Sequence, residues 1–225
     1  MCGRFTLTAD QQMLKAYLDA GYDIKDVPDF DVPRYNIAPS QQIISLLSDG
    51  HDYRVGTLKW GFIPPFAKDD AFSIINAKSE TLDTKPAFKS SFLSKRCVVL
   101  ADGFYEWQTK DGQKHPFYIY LKDHSIFAMA AIWHTHQSSS GLKHHTVAIV
   151  TTHANEMMSS IHDRMPVMLN HKDVYDWLNP SIKDVHLLKS LLKPYDTKGM
   201  QHHEVSSYVN TFKHDDPSCI VPVKT

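Results

Sequence analysis

The second residue of the chain carries its most distinctive chemistry. The sequence opens Met1-Cys2-Gly3-Arg4-Phe5, so removal of Met1 would leave a cysteine with an α-amine and a thiol on adjacent carbons. Their ordinary pKa values, about 8 and about 8.5, keep both partly deprotonated at neutral pH. Together they can capture an aldehyde: the amine condenses to an imine, and the thiol closes a five-membered thiazolidine ring. Cys2 is equally compatible with being an incidental second residue, so the rest of the chain has to decide between the two.

Three further polar residues could carry chemistry. Glu106 lies in Gly103-Phe104-Tyr105-Glu106-Trp107, where strand alternation puts it on the face opposite Tyr105 and Trp107. Facing inward, its carboxylate would be desolvated and poised to move protons near neutral pH; facing outward, it is a solvated strand residue. His162, in Ser160-Ile161-His162-Asp163-Arg164-Met165-Pro166, suits a general acid or base, or a charge at a helix C-terminus. Asn76, in Ile74-Ile75-Asn76-Ala77-Lys78, can orient a substrate through its amide or cap a turn.

The basic residues Arg4, Arg34, Lys78, Lys85, Lys89, Lys95 and Arg164 could form a phosphate track, with Trp60, Phe62 and Phe66 as stacking surfaces for bases. A solvated basic face and a plugged core edge are the plainer readings of the same residues. The pairs His144-His145 and His202-His203 lack metal-site spacing and are expected at the surface. No metal or other cofactor is expected. P-loop, GxGxxG and GxSxG motifs are missing from the sequence, which disfavours nucleotide hydrolysis, dinucleotide redox chemistry and α/β-hydrolase chemistry.

With 225 residues, 42% hydrophobic and 22% charged, the chain is expected to be a single domain, 1–225. A net charge of -1 gives no global basic field, although a local groove can still bind phosphates. Cys2, Cys97 and Cys219 form no disulfide framework, which suits a reducing compartment. No signal-peptide pattern or membrane-length apolar run is present, so the expected location is cytoplasmic.

The patterning predicts a helix from a capping box at Thr8 to Leu18, stopped at Gly21, then strands over 40–47 and 53–60. Thr84-Lys85-Pro86 should open a helix through Lys95. A run of strands follows from Arg96 to Thr151, with a hairpin turn at Lys110-Asp111-Gly112-Gln113. Helices are expected over 155–160, 171–178 and 181–192, with surface loops at 137–141 and 194–200. Central strands flanked by helices indicate an α+β fold, a mainly antiparallel sheet or open barrel with peripheral helices.

Taken in order, several segments resemble the SRAP family (SOS response-associated peptidase), whose members cover abasic sites in single-stranded DNA. They are Met1-Cys2-Gly3-Arg4-Phe5, Arg34-Tyr35-Asn36-Ile37-Ala38-Pro39, Trp60-Gly61-Phe62-Ile63-Pro64, Ile75-Asn76-Ala77-Lys78-Ser79-Glu80-Thr81, Ala101-Asp102-Gly103-Phe104-Tyr105-Glu106-Trp107 and Ile161-His162-Asp163-Arg164-Met165-Pro166. The resemblance implies a barrel-like core and a positive groove for single-stranded DNA, with the chain acting as a monomer. It implies that Cys2 crosslinks to the abasic aldehyde, Asn76 holds the opened sugar, Glu106 moves protons, and His162 acts as general acid/base. It also implies DNA or supporting contacts from Arg4, Asn36, Lys78 and Arg164, and a strand-opening wedge from Trp60, Phe62 and Phe66. Self-processing peptidase activity and lyase or crosslink-reversal activity belong to the same implication.

Two positions depart from the family's usual pattern. Lys78 stands where Arg is frequent, which keeps the charge and loses bidentate phosphate recognition. Phe66 stands where a Trp wedge is common. Two other functions remain compatible with the residues: a cysteine peptidase acting on proteins, and a non-catalytic single-strand binder with an incidental Cys2.

Overall fold

The computed structural model describes residues 2–67, 72–138 and 140–223. The strands are β1 (Phe5–Leu7), β2 (Arg34–Ile37), β3 (Gln42–Ser48), β4 (Tyr53–Trp60), β5 (Asn76–Lys78), β6 (Arg96–Ala101) and β7 (Gly103–Lys110). They continue with β8 (Gln113–Leu121), β9 (Phe127–Gln137), β10 (Lys143–His153), β11 (Arg164–Pro166), β12 (Met168–Leu169) and β13 (Met200–Glu204). The helices are α1 (Gln11–Tyr22), α2 (Lys89–Ser94), α3 (Glu156–Ser159), α4 (His171–Leu178) and α5 (Val185–Ser190).

Strand β10 closes a barrel. It pairs with β9 on one side and, in parallel, with β4 on the other, completing the circuit β10-β4-β3-β6-β9. The expected α+β class with mainly antiparallel pairing holds, and the barrel is closed where an open one was anticipated. Closure leaves no unpaired edge in the ring. A second sheet runs β13-β8-β7-β1-β2.

The two sheets bring distant segments of chain together. Beyond the barrel, β10 carries β5 through the register Ile149↔Asn76 and β11 through His153↔Arg164. In the second sheet, Phe5 pairs with Phe104 and with Ile37. Phe5, Phe104 and Trp60 are fully buried between the layers, with the Phe5 and Trp60 rings 5.3 Å apart.

Local chemistry explains where the elements begin and end. The helix expected to start at a Thr8 capping box starts instead with Asp10 as its cap, which accepts from Met13 N at 2.8 Å. Thr8 is unavailable because its amide and hydroxyl both donate to Asp102, at 2.5 and 2.7 Å. Gly21 stays helical, and Asp23, at φ 54°, ends α1. Ser40 at φ 72° delays β3 to Gln42. Residues 84–88 form turns, so α2 is shorter than expected, and Asp184 caps α5 well after Ser181. The predicted hairpin is present: Asp111 and Gly112, at φ 51° and 75°, form the two-residue connection between β7 and β8.

Of the two loops expected at the surface, 194–200 ends inside β13, and part of 137–141 lies outside the described residues. His145 is exposed as expected, but His144, His202 and His203 are half-buried. His203 Nε2 lies 2.8 Å from the Ile220 carbonyl, and His202 packs edge-on to Phe117.

Gly103 is required where β7 begins. A Cβ there would lie 2.3–2.4 Å from the ring of Tyr118, which is itself packed against Tyr105 and Tyr120. Gly103→Ala should therefore destabilise by roughly 1–3 kcal/mol through overpacking, read as a lowered denaturant midpoint at unchanged slope.

Candidate active site

Cys2 is fully buried just before β1, and Asn76 Nδ2 donates to its carbonyl at 2.8 Å. Asn76 is held from below, because the Trp60 indole N–H donates to the carbonyl of Ile75 at 2.9 Å. Asn76 Oδ1 is buried and accepts no hydrogen bond among the described residues, which leaves an acceptor available to a ligand hydroxyl. The alternation on β7 resolves inward for Glu106, which is 2% exposed. Burial pushes its carboxyl above the ordinary range, and the His162 imidazole opposes that rise. Burial likewise pushes the Cys2 thiol up, and the Glu106 charge adds to the rise.

His162 follows α3 and places Nε2 4.0 Å from Glu106 Oε2. Its Nδ1 lies 3.0 Å from the backbone N–H of Arg164 and 2.9 Å from the carboxylate of Asp163. These contacts ask opposite things of Nδ1. The amide belongs to β11 and is fixed, whereas the Asp163 side chain is 85% exposed. The fixed amide therefore takes Nδ1 as its acceptor, and Nε2 faces Glu106.

Cys2, Asn76, Glu106 and His162 thus converge from four remote segments, two from each sheet system. The expected DNA-contacting residues divide. Phe66, 62% exposed, and Lys78 are at the surface. Trp60 and Phe62 are fully buried, so neither can serve as a base-stacking surface: Trp60 supports Asn76, and Phe62 packs edge-on to Phe88. Arg164 is 5% exposed and committed to both Glu80 oxygens, at 2.7 and 3.0 Å, and to the Thr151 carbonyl at 2.7 Å. It supports the His162 turn and offers no open fork to phosphate. Burial raises the Glu80 carboxyl, but the Arg164 hydrogen bonds, a backbone hydrogen bond and the Arg164 and His153 charges together hold it low.

Asn36 is also fully buried and unable to reach DNA. Its Oδ1 accepts from Arg4 at 2.9 Å, and its Nδ2 donates to the carbonyls of Val209, Thr211 and His214. Half-buried Arg4 in turn donates to the Val209 and Asn210 carbonyls. Within the basic track, Lys85 and Lys89 are exposed, Arg34 pairs with Asp215, and Lys95 lies 4.4 Å over the Trp133 ring. No cluster of three metal-ligating side chains occurs among the described residues.

Sequence reasoning passed over Asp102 and Glu80. Asp102 is buried and accepts from Thr6 Oγ1, Thr8 N, Thr8 Oγ1 and Ala9 N. An acidic residue inside Val99-Leu100-Ala101-Asp102-Gly103-Phe104 was the signal that could have found it.

The chain belongs to the SOS response associated peptidase (SRAP) family, whose family model matches residues 1–212. It is 42% identical over 224 residues to the abasic site processing protein YoqW of Bacillus subtilis, covering 98% of this chain and 99% of that protein. It is 44% identical over 229 residues to the abasic site processing protein YoaM of the same bacterium, covering 96% and 95%. The crystal structure of a Bacteroides thetaiotaomicron protein superposes with a TM-score of 0.81 at 25% identity, covering 99% of this chain and all of that one. No helix among the described residues is long and apolar enough to cross a membrane.

Proposed function

We propose that this protein processes abasic sites in single-stranded DNA by forming a covalent thiazolidine through Cys2 once Met1 has been removed. The observation that carries the reading is the meeting of buried Cys2 and Glu106 with half-buried Asn76 and His162 at one site. The names of the Bacillus relatives point to the same lesion.

An abasic sugar is mostly a closed hemiacetal. His162 and Glu106 shuttle the proton that opens it, and Asn76 holds an opened-chain hydroxyl through its Oδ1 acceptor. The Cys2 amine then adds to the aldehyde carbon, and loss of water gives the imine. Next the thiol sulfur adds to that carbon, and the thiol proton ends on the ring nitrogen. Proximity supplies much of the rate, because both nucleophiles belong to one residue. Phe66 and Lys78, both exposed, provide stacking and phosphate contact.

The same site offers two subsidiary activities: breaking the Met1–Cys2 peptide bond to mature the protein, and reversing the crosslink with lyase chemistry. A general cysteine peptidase is less well supported. It needs a thiolate beside an imidazolium, whereas burial and the Glu106 charge both keep the Cys2 thiol protonated.

The test uses protein with a verified N-terminal Cys2 and uracil-containing single-stranded DNA treated with uracil glycosylase. A heat-stable, SDS-resistant adduct is expected. Its absence overturns the proposal, and cleavage of added peptides in its place would favour the peptidase.

Glu106→Ala and His162→Ala should each slow crosslinking or its reversal, by about a hundredfold, while keeping a cooperative thermal transition. Loss of that transition would make the residue's role structural. As a base, Glu106 must be ionised, so the wild-type rate should fall as pH drops through a value above the ordinary carboxylate range. Glu106→Gln should erase that acidic limb.

A further inference from the structure

Strand β7 carries a second contact with the His162 turn. Gln108 lies two residues beyond Glu106, on the same face of the strand, and its Nε2 donates to the Ser160 carbonyl at 2.6 Å. Ser160 is the C-cap of α3, so its carbonyl is one of those a helix end leaves unsatisfied. With four residues, α3 has little stiffness of its own. Other ties hold the helix and turn as well: His162 N donates to Met158 O at 2.8 Å, Ala154 N to Asp163 O at 3.0 Å, and the N-cap Asn155 Nδ2 to the Tyr195 carbonyl at 2.8 Å. The Gln108 amide crosses from the other sheet.

We propose that Gln108 is a positioning residue: by gripping the Ser160 carbonyl it fixes the distance between the His162 imidazole and the Glu106 carboxylate. That distance, 4.0 Å between Nε2 and Oε2, is too wide for direct proton transfer. It is close enough for a substrate hydroxyl lodged beside both groups to hydrogen-bond to each. One strand therefore supplies the carboxylate and, two residues on, the tether that registers its partner. The inference rests on the proton-shuttle role proposed for this pair.

Two measurements test it. Gln108→Leu keeps volume without a donor, and Gln108→Asn keeps the amide but is one methylene too short. Both should lower the crosslinking rate constant about tenfold at saturating DNA, leaving DNA affinity unchanged, and Gln108→Lys should restore most of it by returning a donor. The thermal transition should move by no more than about 2 °C, as befits a solvent-accessible hydrogen bond. An unchanged rate constant in both Gln108→Leu and Gln108→Asn overturns the proposal, as does an affinity loss that accounts for the whole effect.

The second measurement needs no activity. Glu106→Gln should change the ring 15N shifts of His162, and in a Gln108→Leu background that response should shrink about twofold or more. Equal responses in the two backgrounds overturn the positioning role even if the wild type forms no adduct. A wild type without adduct but with the diminished response would retain the positioning role and remove only the proposed chemistry.

Discussion

Cys2→Ala should abolish the heat-stable adduct, lowering its yield a hundredfold or more, to roughly the background of uncatalysed reaction. The variant keeps an N-terminal α-amine once Met1 is gone, so the first bond to the aldehyde can still form. The product is then an imine, which water reverses, and only borohydride should trap it. The missing step is the addition of sulfur, which turns a hydrolysable C=N bond into a saturated ring. Within the proposed chemistry, the order of events has a physical basis. Burial and the neighbouring Glu106 carboxylate hold the thiol protonated, so the amine is the better first nucleophile. Sulfur follows when the imine offers an electrophile and a place for its proton. Because Cys2 is fully buried, losing its sulfur also leaves a small cavity, with an expected cost of about 1 kcal/mol. A normal thermal transition with no stable adduct is the predicted pair of results. A heat-stable adduct of unchanged yield from the alanine variant would remove the thiazolidine from the mechanism.

The long strands and the buried carboxylate of Glu106 were legible because each leaves a local mark. Tyr53–Trp60 alternates in two stretches whose phase changes at Gly56-Thr57, and the Asp111-Gly112 connection declares its hairpin through left-handed backbone at both positions. Glu106 stands out because a carboxylate among Phe104, Tyr105 and Trp107 must be either solvated or useful. The short strands left no such mark. β1, β5, β11 and β12, of two or three residues each, exist because β10, β9 or β7 offers them an edge, and no local pattern encodes that. The same limit explains the misplaced aromatics. Two prolines after Trp60 and Phe62 read as a loop, but the ring of Phe5 and the carbonyl of Ile75, both remote in sequence, draw Trp60 inside. The family resemblance implied DNA or supporting contacts for Asn36 and Arg164. An amide or a guanidinium shows its chemistry in the sequence, while the partners that occupy it, Val209 to His214 and Glu80, lie 84 or more residues away.

Asp102→Ala should destabilise the fold more than Gly103→Ala or any of the active-site substitutions, by roughly 3–5 kcal/mol. One buried carboxylate accepts from the Thr6 hydroxyl, the Thr8 amide and hydroxyl, and the Ala9 amide. Alanine would take that acceptor from buried and half-buried donors alike, leaving the Thr6 hydroxyl only Tyr118 Oη at 3.2 Å, and the penalty for stranded donors exceeds the net worth of the bonds themselves. For a chain of this length the expected fall in the thermal midpoint is roughly 10–15 °C. The loss would not stay local. Asp102 immediately precedes β7, and its four donors all lie on the segment that runs from β1 towards α1, so it pins β1 against the strand that bears Glu106. Released from that anchor, β1 would no longer present Cys2 to Asn76 and Glu106. Crosslinking should therefore fail at temperatures where the rest of the protein is still folded, and hydrogen exchange should rise first at residues 5–9. Asp102→Asn keeps the oxygen that the Thr6 hydroxyl uses and replaces the other with an N–H₂ facing three donors, so it should recover only part of the lost stability. Full adduct formation by the alanine variant at 25 °C, with unchanged exchange in β1, would show that β1 is held by its strand pairing alone.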